Sequence, residues 1–110
     1  MIHFSTFFCG ALLCNSIPHL SSGLRGMPFP TPFARPRGVG DSPPILNSLW
    51  GFANLVAGLF LLSRHPVGLA FGAELAVLLA GALAMGVYLS LHFGKVQRSR
   101  HRERAARPPC

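Results

Sequence analysis

Along this chain apolar residues run together rather than alternate. Stretches dominated by Phe, Leu, Val, Ala and Ile occupy residues 2–20, 45–62 and 67–93, and the segments between and after them collect Pro, Gly and Arg. Continuous apolar runs of that length predict helices, and about 20 mostly apolar residues are needed to cross a hydrocarbon core about 30 Å thick. The second stretch just meets that length and the third has some to spare. The first reaches it only when Cys14, Asn15, Ser16 and Pro18 are counted in. No Lys or Arg stands ahead of Phe4, so the basic n-region of a secretory signal is missing and the segment is expected to stay as a first helix.

The segment at residues 21–44 holds six Pro and four Gly. Prolines at 28, 30, 32 and 36 fix φ and remove backbone donors, so Pro28-Phe29-Pro30-Thr31-Pro32-Phe33 is expected to be extended polyproline II. Backbone of that kind finds no hydrogen-bond partners among lipid tails and belongs at the interface, with Phe29 and Phe33 turned toward the acyl region. Between the second and third stretches only Ser63-Arg64-His65-Pro66 intervenes, a short turn with Pro66 suited to the first turn of the following helix. The pattern therefore predicts one all-α integral membrane domain over residues 1–110 with three transmembrane helices. The last two would form an antiparallel hairpin, followed by a tail at 94–110.

Composition strengthens that prediction. Half of the 110 residues are hydrophobic and 12% are charged, against about 25% charged in an ordinary soluble domain, too few to coat a surface facing water. The Lys and Arg side chains are also segregated. Arg25, Arg35, Arg37, Lys95, Arg98, Arg100, Arg102, Arg104 and Arg107 share one side of a three-span layout and Arg64 alone takes the other. By the positive-inside rule this gives a multi-pass membrane protein with its N-terminus out and its C-terminus in the cytoplasm. The tail residues Lys95, Arg98, Arg100, Arg102, Arg104 and Arg107 then meet anionic lipid headgroups, at about 1 kcal/mol each near the surface. A nucleic-acid partner is not expected, because the run has no Phe, Tyr or Trp to stack a base. Glu103, three residues after Arg100 and four before Arg107, suits a salt-bridged helical extension of the third span.

Glu74 is the acidic residue that falls inside an apolar stretch. With a helix starting at Val67 it would lie about 10 Å down, where an ionised carboxylate costs about 3 kcal/mol. Counting symmetrically about the short turn sets Asn54 opposite, and an interhelical hydrogen bond between Glu74 and Asn54 is expected. Gly68, Gly72, Ala76, Ala80 and Ala84 recur every four positions, and the second stretch offers Gly51 and Gly58. Small residues at that spacing let membrane helices approach closely, within the chain, in a homo-oligomer or against another membrane protein. On the helical wheel the Glu74 face is a different one, with Ala70, Leu78, Gly81 and Met85. Cys9 and Cys14 are five apart and form no C-x-x-C, so neither metal nor cofactor is expected. The chain has no phosphate loop and no nucleophile elbow, and enzymatic activity is not expected.

The string Asn15-Ser16-Ile17-Pro18-His19-Leu20, with Gly23 and Gly26, then Phe29-Pro30-Thr31-Pro32-Phe33 and Leu49-Trp50-Gly51, resembles a family of small bacterial multi-span membrane proteins of no assigned activity. The resemblance covers roughly residues 12–60 and implies several helices, with no functional residue to carry over. The chain is also similar in length to small multidrug resistance transporters, which couple protons to cation export through one membrane-embedded glutamate. It departs from them in having three stretches rather than four and its glutamate in the last. Two functions are therefore in view. One is a membrane accessory or interaction protein that packs through its small-residue faces. The other is a minimal oligomeric transporter with Glu74 as its proton or cation site.

Overall fold

The computed structural model describes residues 2–108, so the last two residues of the expected basic tail lie outside the described ones. Three helices account for most of the chain: α1 (Ile2–Leu24), α2 (Pro44–Arg64) and α3 (Ala73–Ala106). Two short strands, β1 (Phe29–Pro30) and β2 (Asp41–Ser42), lie between the first two helices. The molecule is long and narrow, 58 × 24 × 21 Å. Its length is set by the 34 residues of α3, which at 1.5 Å each extend about 51 Å.

α1 is the centre of the bundle. It packs extensively on both α2 and α3, which make little contact with each other. Leu20 lies beside Gly51 and Leu13 beside Gly58, so α1 and α2 run antiparallel, while Phe7 lies beside Gly81 and Cys14 beside Gly86, so α1 and α3 run parallel. The expected hairpin is thus corrected. α2 and α3 are consecutive and opposite in direction, but α1 stands between them. Glycine makes this possible: a β-carbon at Gly10 would collide with the backbone of Leu78, and one at Gly81 with the Phe7 carbonyl.

Helix boundaries differ from expectation at three places. α1 runs through Pro18 to Leu24, four residues beyond the expected end, and stops where Gly26 takes a φ of 70° and Met27 N–H closes onto the Ser22 carbonyl at 2.9 Å. α2 runs on to Arg64, and the loop after it covers residues 65–72, so Val67 to Gly72 are not helical and α3 begins at Ala73. Gly68 and Gly72 are poor helix formers, and Gly72 in extended conformation is an acceptable N-cap. At the other end α3 continues to Ala106, the helical extension expected of the tail.

The connector is not a single polyproline II run. It is extended only near β1 and then folds back, pairing Phe29 with Ser42 and Pro30 with Asp41. Inside the loop Ala34 N–H and Gly38 N–H both donate to the Thr31 carbonyl, and Thr31 and Ser42 hydroxyls meet at 2.6 Å. Backbone groups that the prolines leave without a ladder are satisfied in this way. Phe29 turns inward onto the helix ends, and Phe33 stays exposed against the edge of Trp50.

The distribution of side chains is the reverse of a water-soluble core. The buried residues are small or polar, among them Thr6, Cys9, Ser16, His19, Asn47 and Asn54, while Phe60 is 59%, Leu83 69% and Leu91 66% exposed. Two helices, α2 and α3, are long and apolar enough to cross a membrane, and most of each faces outward. An apolar outer surface of that extent calls for a hydrocarbon solvent or a partner rather than water. α1, which is not one of those two, is the helix covered on both sides.

Candidate functional site: a polar cluster and cavity beneath the connector

The connector sits over one end of the bundle, where the C-terminal half of α1, the start of α2 and the middle of α3 converge. Asn47 fastens it. This side chain is 0% exposed, and its Nδ2 donates to the carbonyls of Phe29 at 2.9 Å, Ser42 at 3.1 Å and Pro43 at 3.3 Å. A nitrogen surrounded by carbonyl oxygens fixes the amide orientation and leaves Oδ1 facing His19 Nδ1 at 2.9 Å. His19 Nδ1–H therefore donates to Asn47 Oδ1, and in the neutral ring Nε2 is an acceptor.

His19, 2% exposed, is walled by aromatic rings: Phe29 and Phe93 lie edge-on with centroids at 5.5 and 6.5 Å, and Trp50 at 6.5 Å. Phe29 and Phe93 themselves pack at 4.6 Å. One turn away, Asn15 Nδ2 donates to Asn54 Oδ1 at 2.9 Å, and Asn54 Nδ2 donates to the Trp50 carbonyl at 2.8 Å. From α3, His92 Nε2–H donates to the Gly38 carbonyl at 2.6 Å, and Arg100 pairs with Asp41 at 2.9 Å. Both sides of the connector are thereby tied to a helix, to α2 through Asn47 and to α3 through His92 and Arg100.

These contacts shape a partly open cavity of about 210 Å³ bordered by Asn15, His19, Trp50, Tyr88, His92 and Phe93, with Pro30 to Pro32 of the connector. Trp50 Nε1–H is buried and has no hydrogen-bond acceptor among the described residues. No group of three or more His, Cys, Asp or Glu side chains that could hold a metal ion occurs among the described residues.

The residues expected from sequence fall as follows. Asn54 is buried and bonded to Asn15 on α1, and the expected Glu74–Asn54 hydrogen bond is not formed. Glu74 is exposed in the first turn of α3, where a carboxylate complements the helix dipole; the depth expected for it assumed helical residues that are loop. Of the small residues, Gly51 and Gly58 are buried against Leu20 and Leu13 of α1. Gly68 and Gly72 precede α3 with open space around them, and Ala76, Ala80 and Ala84 face outward. The face that meets α1 is the Leu78, Gly81, Met85 face, of which Gly81 is the most buried.

In the tail Lys95, Arg98, Arg102, Arg104 and Arg107 are exposed, whereas Arg100 bonds Asp41 and the Val39 carbonyl rather than Glu103. Comparison of the chain with protein-family models, curated proteins and solved structures finds no match.

Proposed function

We propose that the chain is a small multi-pass protein of the inner membrane, N-terminus out and basic segment in the cytoplasm, that acts as an accessory or interaction protein by docking another membrane helix on α3. The observation that carries this reading is the division of α3 into a face packed on α1 and a small-residue face turned outward. The Gly81 face is used up by α1, while Ala76, Ala80 and Ala84 form an outward ridge left exposed by the described residues. In a bilayer, where apolar surface alone drives no association, such a ridge is the part of a helix best suited to close contact. α1 is taken as a third span because it lies between two apolar helices and is of like length, 23 residues. Exposed Lys95, Arg98, Arg102, Arg104 and Arg107 sit at the end of α3 that the positive-inside rule assigns to the cytoplasm, within reach of anionic headgroups.

The position of Glu74 does not favour the transporter reading, since the carboxylate is exposed at the start of α3. Photocrosslinking from position 80 in native membranes tests the proposal. A specific adduct, to a second copy or to a different membrane protein, should form and be lost in Ala76→Leu and Ala84→Leu. Adduct formation that is indifferent to both substitutions would refute the docking ridge.

A further inference from the structure

We propose that the cavity beneath the connector binds a small aromatic ring bearing a hydroxyl group, a phenol or the headgroup of a hydroquinone. Size comes first. A cavity of about 150 Å³ lined by apolar side chains takes up benzene. The 210 Å³ here has room for one substituted ring. The walls suit that occupant, since Trp50, Phe93 and Tyr88 present ring faces and edges and Pro30 and Pro32 close the connector side. Tyr88, 60% exposed and stacked on His92 at 6.0 Å, stands at the outer edge, where a lipid-soluble molecule would enter.

The polar groups decide the substituent. Asn47 holds the His19 proton on Nδ1, so Nε2 of the neutral ring can only accept, and no donor among the described residues is bonded to it. His19 borders the cavity, and leaving its acceptor without a donor away from bulk water is unfavourable. A hydroxyl group gives a proton to Nε2. An ether or a quinone carbonyl has none to give. The site should therefore prefer the phenol over its methyl ether and the hydroquinone over the quinone. This assignment stands on the cavity and is independent of what docks on the α3 ridge.

Trp50 is the single tryptophan of the chain, so its emission reports on the cavity directly. The full-length protein in lipid nanodiscs is titrated with 4-methylphenol and with 4-methylanisole. Saturable change in Trp50 emission is expected for the phenol, with binding of the ether roughly tenfold or more weaker because His19 Nε2 is then left unpaired. The nitrogen-15 resonance of His19 Nε2 should shift with the phenol and not with the ether. Met85→Phe and Leu89→Phe, which fill the cavity from α3 and leave the His19–Asn47 bond untouched, should abolish the response while helical circular dichroism is retained. Displacement of the phenol by a membrane-soluble isoprenoid hydroquinone would assign the ring to a lipid headgroup, and saturable binding without displacement would assign it to a soluble phenol. The proposal is overturned if no saturable binding is found, which would leave water as the occupant, if phenol and ether bind equally, or if both filled variants still bind.

Discussion

Replacing Asn47 should release the connector. Among the bonds of this side chain are those to the Phe29 and Ser42 carbonyls of the connector and to the buried His19 ring, all from a position with no solvent access. A net hydrogen bond contributes about 1 kcal/mol, and a buried group left without its partner costs about 1–3 kcal/mol. Removing Asn47 strands the His19 N–H and both carbonyls, so Asn47→Ala should destabilise the fold by about 3–5 kcal/mol. Asn47→Asp is the sharper variant, because it keeps the shape and the acceptor toward His19 but loses both amide hydrogens and points an oxygen at carbonyl oxygens. It should cost at least as much as Asn47→Ala. Denaturant unfolding in detergent gives the free energy, and amide exchange of residues 28–42 gives the location, with protection lost there before it is lost in α2. If both variants unfold within about 1 kcal/mol of the parent, and the connector stays protected, then Asn47 is not what holds it.

Other substitutions separate residues that sequence alone groups together. A β-carbon at Gly51 would stand 2.7 Å from the Leu20 backbone nitrogen, so Gly51→Ala should cost about 1–3 kcal/mol in thermal unfolding. Gly68→Ala meets nothing and should be neutral or stabilising by up to about 1 kcal/mol. Asn54→Leu strands the Asn15 amide, and interhelical hydrogen bonds in membranes average about 0.6 kcal/mol, so a loss of about 1 kcal/mol is expected. Glu74→Gln, at an exposed helix start, should change unfolding by less than about 0.5 kcal/mol. The Asp41–Arg100 pair is partly solvated, and a double-mutant cycle on it should return about 0.2–1 kcal/mol, falling with added salt.

Much of the architecture is legible in the apolar stretches, because helix existence follows from run length and composition. What was not legible is which helix meets which. The short distance in sequence between the second and third stretches points to a hairpin, yet the contacts are decided by glycine positions on all three helices that pattern alone does not rank. α3 starts later than the apolar pattern predicts because Val67, Leu69 and Phe71 keep the stretch apolar while Gly68 and Gly72 deny it a helix, and the depth of Glu74 changes with it. The buried face of α2 was within reach: Asn47, Gly51, Asn54 and Gly58 are spaced four, three and four apart, one helical stripe that mixes amides with glycines. Asn15 and His19 make a matching pair at i and i+4 on α1. Weighing polar residues in apolar helices as sets, rather than singling out the charged one, leads to the cluster beneath the connector.

The central place of α1 bears on the order in which the molecule is assembled. Helices leave the ribosome in sequence, and α1 carries contact surface for both of the others. Once α2 has followed it, the Asn15–Asn54 and His19–Asn47 bonds and the β1–β2 pairing can all form, since every partner lies before Arg64. α3 then adds to the opposite side of a template already built, its Gly81 face closing on Phe7 and its His92 and Arg100 latching a connector that is already folded. The last helix to be made is thus the one held by the fewest commitments to earlier ones, and it is also the helix whose outer ridge is left for a partner.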